Sequence, residues 1–295
     1  MSERDVWRIR DLLAWTAEYF ERHAIETARL DAEVLLAHSL EEQRLWLYMS
    51  LDEAVPEERL AAFRGCVKRR GAHEPVAYIV GEKEFFSLTF EVTPAVLVPR
   101  PETELLVQVA VDALREEAYR GELHIADVGT GSGIVAVTVA GELREPSSLL
   151  VATDVSEAAL DVARRNAERH GVADRIEFRR GSGVEPLEAG EAYDAIVSNP
   201  PYVPTGQLSA LSSDIMDHEP IGALDGGRDG LDVIREIVRD AAGCLVPGGL
   251  LALEVGDGQA AEVANLIEAT GEFASRCLHR DFGGIERVVS AACLS

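Results

Sequence analysis

Lysine is almost missing from this chain of 295 residues: among 28 basic side chains only Lys68 and Lys83 are lysines. Against them stand 52 acidic residues, for a net charge of −24. The deficit is concentrated beyond residue 86, where 16 basic face 35 acidic residues. Such a surface repels phosphate backbones unless a local basic patch compensates, which counts against a nucleic-acid binder. A salt-loving host would favour the same composition, with screening to mute the repulsion. Cysteine is scarce too. Cys66, Cys244, Cys277 and Cys293 are scattered, with no CxxC and no histidine pair at ligand spacing. That pattern suggests neither a disulfide framework nor a structural metal, and fits a reducing cytoplasm. No apolar run approaches the roughly 18 residues of a membrane span, and Met1–Asp5 has neither the basic nor the apolar stretch of a secretory leader. With 47% hydrophobic residues, the chain has length and apolar content for one large or two modest domains.

The most telling segment is Asn199-Pro200-Pro201-Tyr202, directly after the apolar run Tyr193–Ser198. An apolar run cut off by two prolines reads as a buried parallel strand ending in a stiff loop, since proline fixes φ and lacks an N–H. Open α/β sheets place their ligands at such strand ends. The Asn199 side chain and the Pro200 carbonyl offer two oxygen acceptors side by side, suited to a planar –NH2 group, with Tyr202 as a flat wall beside it. An ordinary strand exit also uses Pro and Asn, so the loop needs its upstream context.

That context is a strand at 123–127, a turn Gly129-Thr130-Gly131-Ser132-Gly133, and an apolar helix from Ile134. The turn resembles a nucleotide-binding βα unit, but Ile134 stands where a dinucleotide fingerprint needs its third glycine. A ligand without phosphates fits better. Asp154 ends the next strand about twenty residues on and can accept both hydroxyls of a ribose. Asp127, beside the turn, can face an ammonium or sulfonium.

Residues 1–83 show helical apolar spacing and form a small bundle, and Lys68-Arg69-Arg70 reads as a solvated helix end rather than a binding patch. Residues 84–104 form a hairpin or linker, in which Pro99 and Pro101 fix Arg100 and Glu102 and Glu104 sit on the start of the next helix. From 105 to 295 strands and helices alternate, implying a mostly parallel sheet covered on both faces. A helix at 229–242 should close at a Pro247-Gly248-Gly249 turn. The last two strands, separated by only a short Asp281–Gly284 link, should pair as an antiparallel edge hairpin.

With Glu74–Gly81, Val98–Glu104, Asp127–Gly133, Asn199–Tyr202, Glu219-Pro220 and Ala223–Gly227, the chain resembles the HemK/PrmC family of release-factor glutamine methyltransferases over nearly its whole length. The resemblance implies a seven-stranded Rossmann-like (class I) domain that binds S-adenosylmethionine and leaves S-adenosylhomocysteine. It also implies an N-terminal bundle that holds the release factor, and methylation of its Gly-Gly-Gln glutamine, which modulates translation termination. Asn199, Pro200 and Tyr202 are then catalytic. Asp127, Gly129, Thr130, Gly131, Ser132, Gly133, Asp154, Ser182, Gly183 and Asn199 hold the cofactor, with Ser182 standing where many such enzymes carry an acidic adenine contact. Asn199, Pro200, Pro201, Tyr202, Arg100 and Glu219 hold the substrate. A cytoplasmic monomer without metal, membrane or direct nucleic-acid partner is expected. The rival reading is a nucleic-acid adenine-amino methyltransferase, which shares the Asn-Pro-Pro-Tyr loop but needs a basic track and aromatic clamps.

Overall fold

The structure, a computed structural model, describes residues 7–118, 122–143, 148–187 and 191–294; the segment Met1–Asp5, read above for the marks of a secretory leader, lies outside them. Two compact units result. The first runs to Glu82 and takes in Ser212–His218; the second begins at Lys83 and holds the rest. Among the described residues no helix is long and apolar enough to cross a membrane.

The first unit contains α1 (Ile9–Arg22), α2 (Ala28–Leu40), α3 (Arg44–Met49), α4 (Glu57–Gly71) and α5 (Val76–Val80). Ile9, Leu12, Leu13 and Phe20 recur on one face of α1 and bury themselves with Leu35, Leu36, Leu47 and Phe63. Arg70 departs from the solvated helix end expected for it. It is 5% exposed and pairs with Asp31 at 2.7 Å and Asp214 at 2.8 Å. A charge so desolvated needs partners of this kind. Asp214 belongs to the Ser212–His218 return, which periodicity had left inside the second unit.

In the second unit, β1 (Glu82–Phe85) and β2 (Leu88–Glu91) form a hairpin. Its two central residues, Phe86 and Ser87, both have positive φ, at 51° and 60°, as a tight hairpin turn demands. The Phe86 N–H donates to Glu104 Oε1 at 2.9 Å, so Glu104 ties the turn to α6 (Thr103–Ala118). Then follow β3 (Leu123–Val128), α7 (Ile134–Leu143), β4 (Ser148–Asp154), α8 (Glu157–Arg169), β5 (Ile176–Arg180), β6 (Tyr193–Ser198), α9 (Asp232–Ala241), β7 (Leu245–Glu254), α10 (Ala260–Thr270), β8 (Phe273–Arg280) and β9 (Glu286–Cys293). Seven strands make one sheet in the order β5-β4-β3-β6-β7-β9-β8. All are parallel except β9, which runs antiparallel to both β7 and β8.

The strands are apolar on both sides because both faces are covered. Ile125, Ala152, Ala195, Val197 and Ala252 point to the face packed by α6 and α7. Their neighbours Ala126, Val151, Ile196, Leu251 and Leu253 point to the face packed by α9 and α10. This period-2 split is what a buried parallel sheet requires. Pro247-Gly248-Gly249 is not the expected turn but lies inside β7. The register jumps there, from Tyr193 opposite Leu245 to Ala195 opposite Leu250, and the extra length is absorbed as a bulge. The chain winds outward from β3 in one direction through β4 and β5, and in the other through β6 and β7. The crevice where ligands bind in such sheets therefore opens at the carboxyl ends of β3 and β6.

Candidate active site

At that crevice lies a cavity of about 260 Å³. Its wall gathers Asp127, Gly129, Thr130, Gly131 and Ser132 from the end of β3, Asp154 from β4, Ser182 and Gly183 after β5, Asn199, Pro200 and Pro201 after β6, and Arg100 from the loop before α6. Residues far apart in sequence meet because four neighbouring parallel strands end at one edge.

The glycine turn is held from two sides. Gly129 N–H and Thr130 N–H both donate to the Thr153 carbonyl, at 2.9 and 2.8 Å. Gly131 N–H donates to Asp154 Oδ2 at 3.0 Å, and Ser156 N–H to Asp154 Oδ1 at 2.9 Å. Each Asp154 oxygen thus keeps acceptor capacity for a hydroxyl pair, and burial raises its pKa against these donors. Asp127 is 1% exposed. It accepts from the Thr130 hydroxyl at 2.6 Å and from Ala136 N–H at 3.0 Å, the latter at the start of α7, where a negative charge is favoured. Burial still pushes its carboxyl up to about 6.

Gly133 does not line the cavity. Its φ of +82° suits glycine, and a Cβ there would meet the Ala163 side chain at 3.0 Å. It lets α8 approach the turn rather than touching a ligand. Asn166, fully buried on α8, completes the clamp. Its Nδ2 donates to Ser132 O at 2.8 Å and Glu91 O at 3.0 Å, and its Oδ1 accepts from Glu91 N–H at 2.7 Å.

Tyr202 and Glu219 also stand off the cavity wall. Tyr202 packs against the core on the α9 and α10 face, its carbonyl accepts from Gln259 at 2.9 Å, and burial raises its hydroxyl to about 12. Glu219 is 5% exposed, not a surface carboxylate. One of its oxygens accepts from Val98 N–H at 3.1 Å and the other from Arg100 at 2.6 Å. It holds the Arg100 loop in place, so Arg100 reaches the wall already paired.

Asn199 carries its own anchor: Nδ2 donates to Thr103 Oγ1 at 3.1 Å. With the nitrogen end engaged, the amide oxygen is the end left to accept from a ligand. Two residues in this neighbourhood escaped the sequence reading. Thr103, fully buried, was read only as part of a helix start. Glu254 is 1% exposed at the end of β7, and burial pushes its carboxyl up to about 7. A lone carboxylate inside the apolar run Leu250–Val255 was the available signal, because a buried charge without function is costly.

Residues 11–81 match the PrmC N-terminal domain family, and residues 102–218 match the methyltransferase small domain family. A release factor glutamine methyltransferase of Geobacter sulfurreducens is 44% identical over 293 residues, covering 98% of each chain. One from Rhodopirellula baltica is 39% identical over 285 residues, covering 96% of each. Among solved structures, the catalytic domain of hMettl16, crystallised with a 3′UTR hairpin, superposes with a TM-score of 0.55 at 14% identity. It covers 81% of this chain and 84% of that one, a likeness of fold alone.

Proposed function

Because the chain belongs to the release factor glutamine methyltransferase family, we propose that it methylates the side-chain nitrogen of the Gly-Gly-Gln glutamine in bacterial peptide-chain release factors. In this reading it acts as a single chain in the cytoplasm, with S-adenosylmethionine as donor and the helical first unit as a docking surface for the release factor. The residues of the cavity fit that donor. Asp154 has lone pairs for two ribose hydroxyls, the turn at Gly129–Ser132 admits a ligand close to the backbone, and the Asp127 carboxyl lies on the same wall. When bound, the donor supplies a methyl group on a positively charged sulfur.

What the protein's own residues must do is overcome the poor nucleophilicity of a carboxamide nitrogen, whose lone pair is spread into its C=O. Asn199 Oδ1 and the Pro200 carbonyl would each accept one N–H of the glutamine. They fix its plane and draw positive charge onto nitrogen, so that its lone pair is aimed rather than delocalised. Positioning of this kind supplies several kcal/mol of a barrier, and acceptors set where charge develops add to it. After transfer the extra proton on nitrogen passes to solvent water, and no nucleophilic side chain is required.

The observation that carries this reading is the Asn199 amide, tied by its nitrogen to Thr103 at 3.1 Å on the wall of the glycine-turn cavity. Incubation with methyl-labelled S-adenosylmethionine, a release factor and DNA tests it. Label at the Gly-Gly-Gln glutamine, located by mass spectrometry, is expected. Label on DNA, or on neither, refutes it.

A further inference from the structure

We propose that Glu254 and Thr103 form a positioning pair that sets which way the Asn199 amide faces, so that its oxygen rather than its nitrogen meets the methyl acceptor. The inference rests on the function proposed above and gives a role to two residues otherwise without one.

The juxtaposition follows from the sheet. In the β6–β7 register Ser198 lies opposite Leu253, so the next residues on each strand, Asn199 and Glu254, end up side by side. Thr103, at the first turn of α6, closes over them. Thr103 and Asn199 are hydrogen-bonding neighbours of the carboxyl, and both stabilise its ionised form. Oε2 of Glu254 has no hydrogen-bond partner of its own. Keeping such a group at 1% exposure costs stability.

The chemistry of the three groups gives the pair its function. An ionised carboxylate only accepts hydrogen bonds. Thr103 has a single O–H, which it gives to the carboxylate, leaving its lone pairs to receive Asn199 Nδ2 at 3.1 Å. The direction of the chain is then set from Glu254 outward, and Asn199 Oδ1 is what remains for the substrate. A carboxamide turned end for end fills almost the same volume, so packing alone does not choose between the two faces. A neutral acid at position 254 can donate as well as accept, and the chain can then run in either direction. The charges facing Glu254 come from three sides: Glu102 beside Thr103 raises its pKa, Arg287 on β9 lowers it, and Tyr202 approaches from the loop after β6. Arg287 is itself held by Asp281 at 3.2 Å.

The decisive variant is Glu254→Gln, which keeps the shape and removes the acceptor-only character. In the wild type, kcat with release factor should rise with pH through a midpoint near 7, the value to which burial pushes Glu254. The variant should lose that limb and about tenfold to a hundredfold in kcat, with cofactor Kd and release-factor KM within about threefold. Thr103→Val should lose a similar factor, and Thr103→Ser should recover most of it. These two keep the inference testable if Glu254→Gln fails to fold. An activity-independent readout is the Asn199 side-chain amide pair in a 15N-labelled spectrum, assigned by its absence in Asn199→Asp. It should shift with pH near 7 in the wild type and not in Glu254→Gln, and it decides the matter even if no release factor is methylated. An amide pair indifferent to pH, or a Glu254→Gln enzyme with unchanged kcat and pH limb, overturns the proposal.

Discussion

Replacing Asn166 tests how the glycine turn is held, independently of any catalytic reading. This side chain makes three hydrogen bonds, two to Glu91 and one to Ser132, and is fully buried. Asn166→Ala strands the Ser132 carbonyl in the interior, while the Glu91 groups lie at the partly exposed hairpin and regain some water. An unsatisfied buried group costs about 1–3 kcal/mol and a hydrogen bond regained by water costs little, giving about 1–3 kcal/mol in all. Asn166→Asp should be worse near neutral pH, because it sets a carboxylate against two carbonyl oxygens. Its folded-state pKa is then raised above the unfolded one, so the native form holds the proton more tightly and stability recovers as pH falls. Urea unfolding of the wild type and both variants at pH 7 and pH 5 measures this. Cofactor affinity should fall with the loosened turn. A loss below about 1 kcal/mol in Asn166→Ala, or an Asn166→Asp variant with no recovery in acid, would refute the clamp.

Asp154→Asn should weaken S-adenosylmethionine binding about tenfold to a hundredfold by calorimetry, since hydrogen bonds to a charged acceptor contribute about 1.5–3 kcal/mol. Asn199→Ala should abolish transfer to release factor while cofactor affinity changes only a few-fold; near-normal turnover would remove the acceptor role. For Asp127, burial raises the folded pKa to about 6 from an ordinary 3.8. The native state therefore binds more protons between those values, and stability should fall by a few kcal/mol as pH rises from about 4 to 6. Subtracting the urea-unfolding profile of Asp127→Asn isolates that slope, and parallel profiles would count against it.

Elements that announce themselves locally were legible in the sequence. Tyr193–Ser198 ends at two prolines, and the strand stops at Ser198 as that barrier requires. Ser156 caps α8 by accepting from Ala159 N–H at 3.2 Å, and Gly171 leaves it with φ of +69°, both local signals. Helix α7 was legible by its apolar character alone. Its run of Ile, Val and Thr is a weak helix former, and burial on nearly every side overrides that preference. What stayed hidden depends on contacts across the chain. The bulge at Pro247–Gly249 exists because β6 lies alongside. Arg70 is buried because Asp31 and Asp214 arrive from 39 and 144 residues away. Glu219 and Tyr202 were recognised as part of a motif, yet Glu219 holds Arg100 and Tyr202 packs beside the wall, and neither placement can be read from residue type. Thr103 and Glu254 become informative only when strand register sets them beside Asn199.

The order of strands at the far edge of the sheet bears on how the chain is assembled. β9 follows β8 in sequence yet lies between β7 and β8, so during synthesis β8 emerges with no strand to zip onto. Until β9 arrives, β7 presents its unpaired backbone as an open template for another chain. A molecule in which β9 has not yet inserted is therefore open to pairing at β7, and insertion of β9 closes that gap.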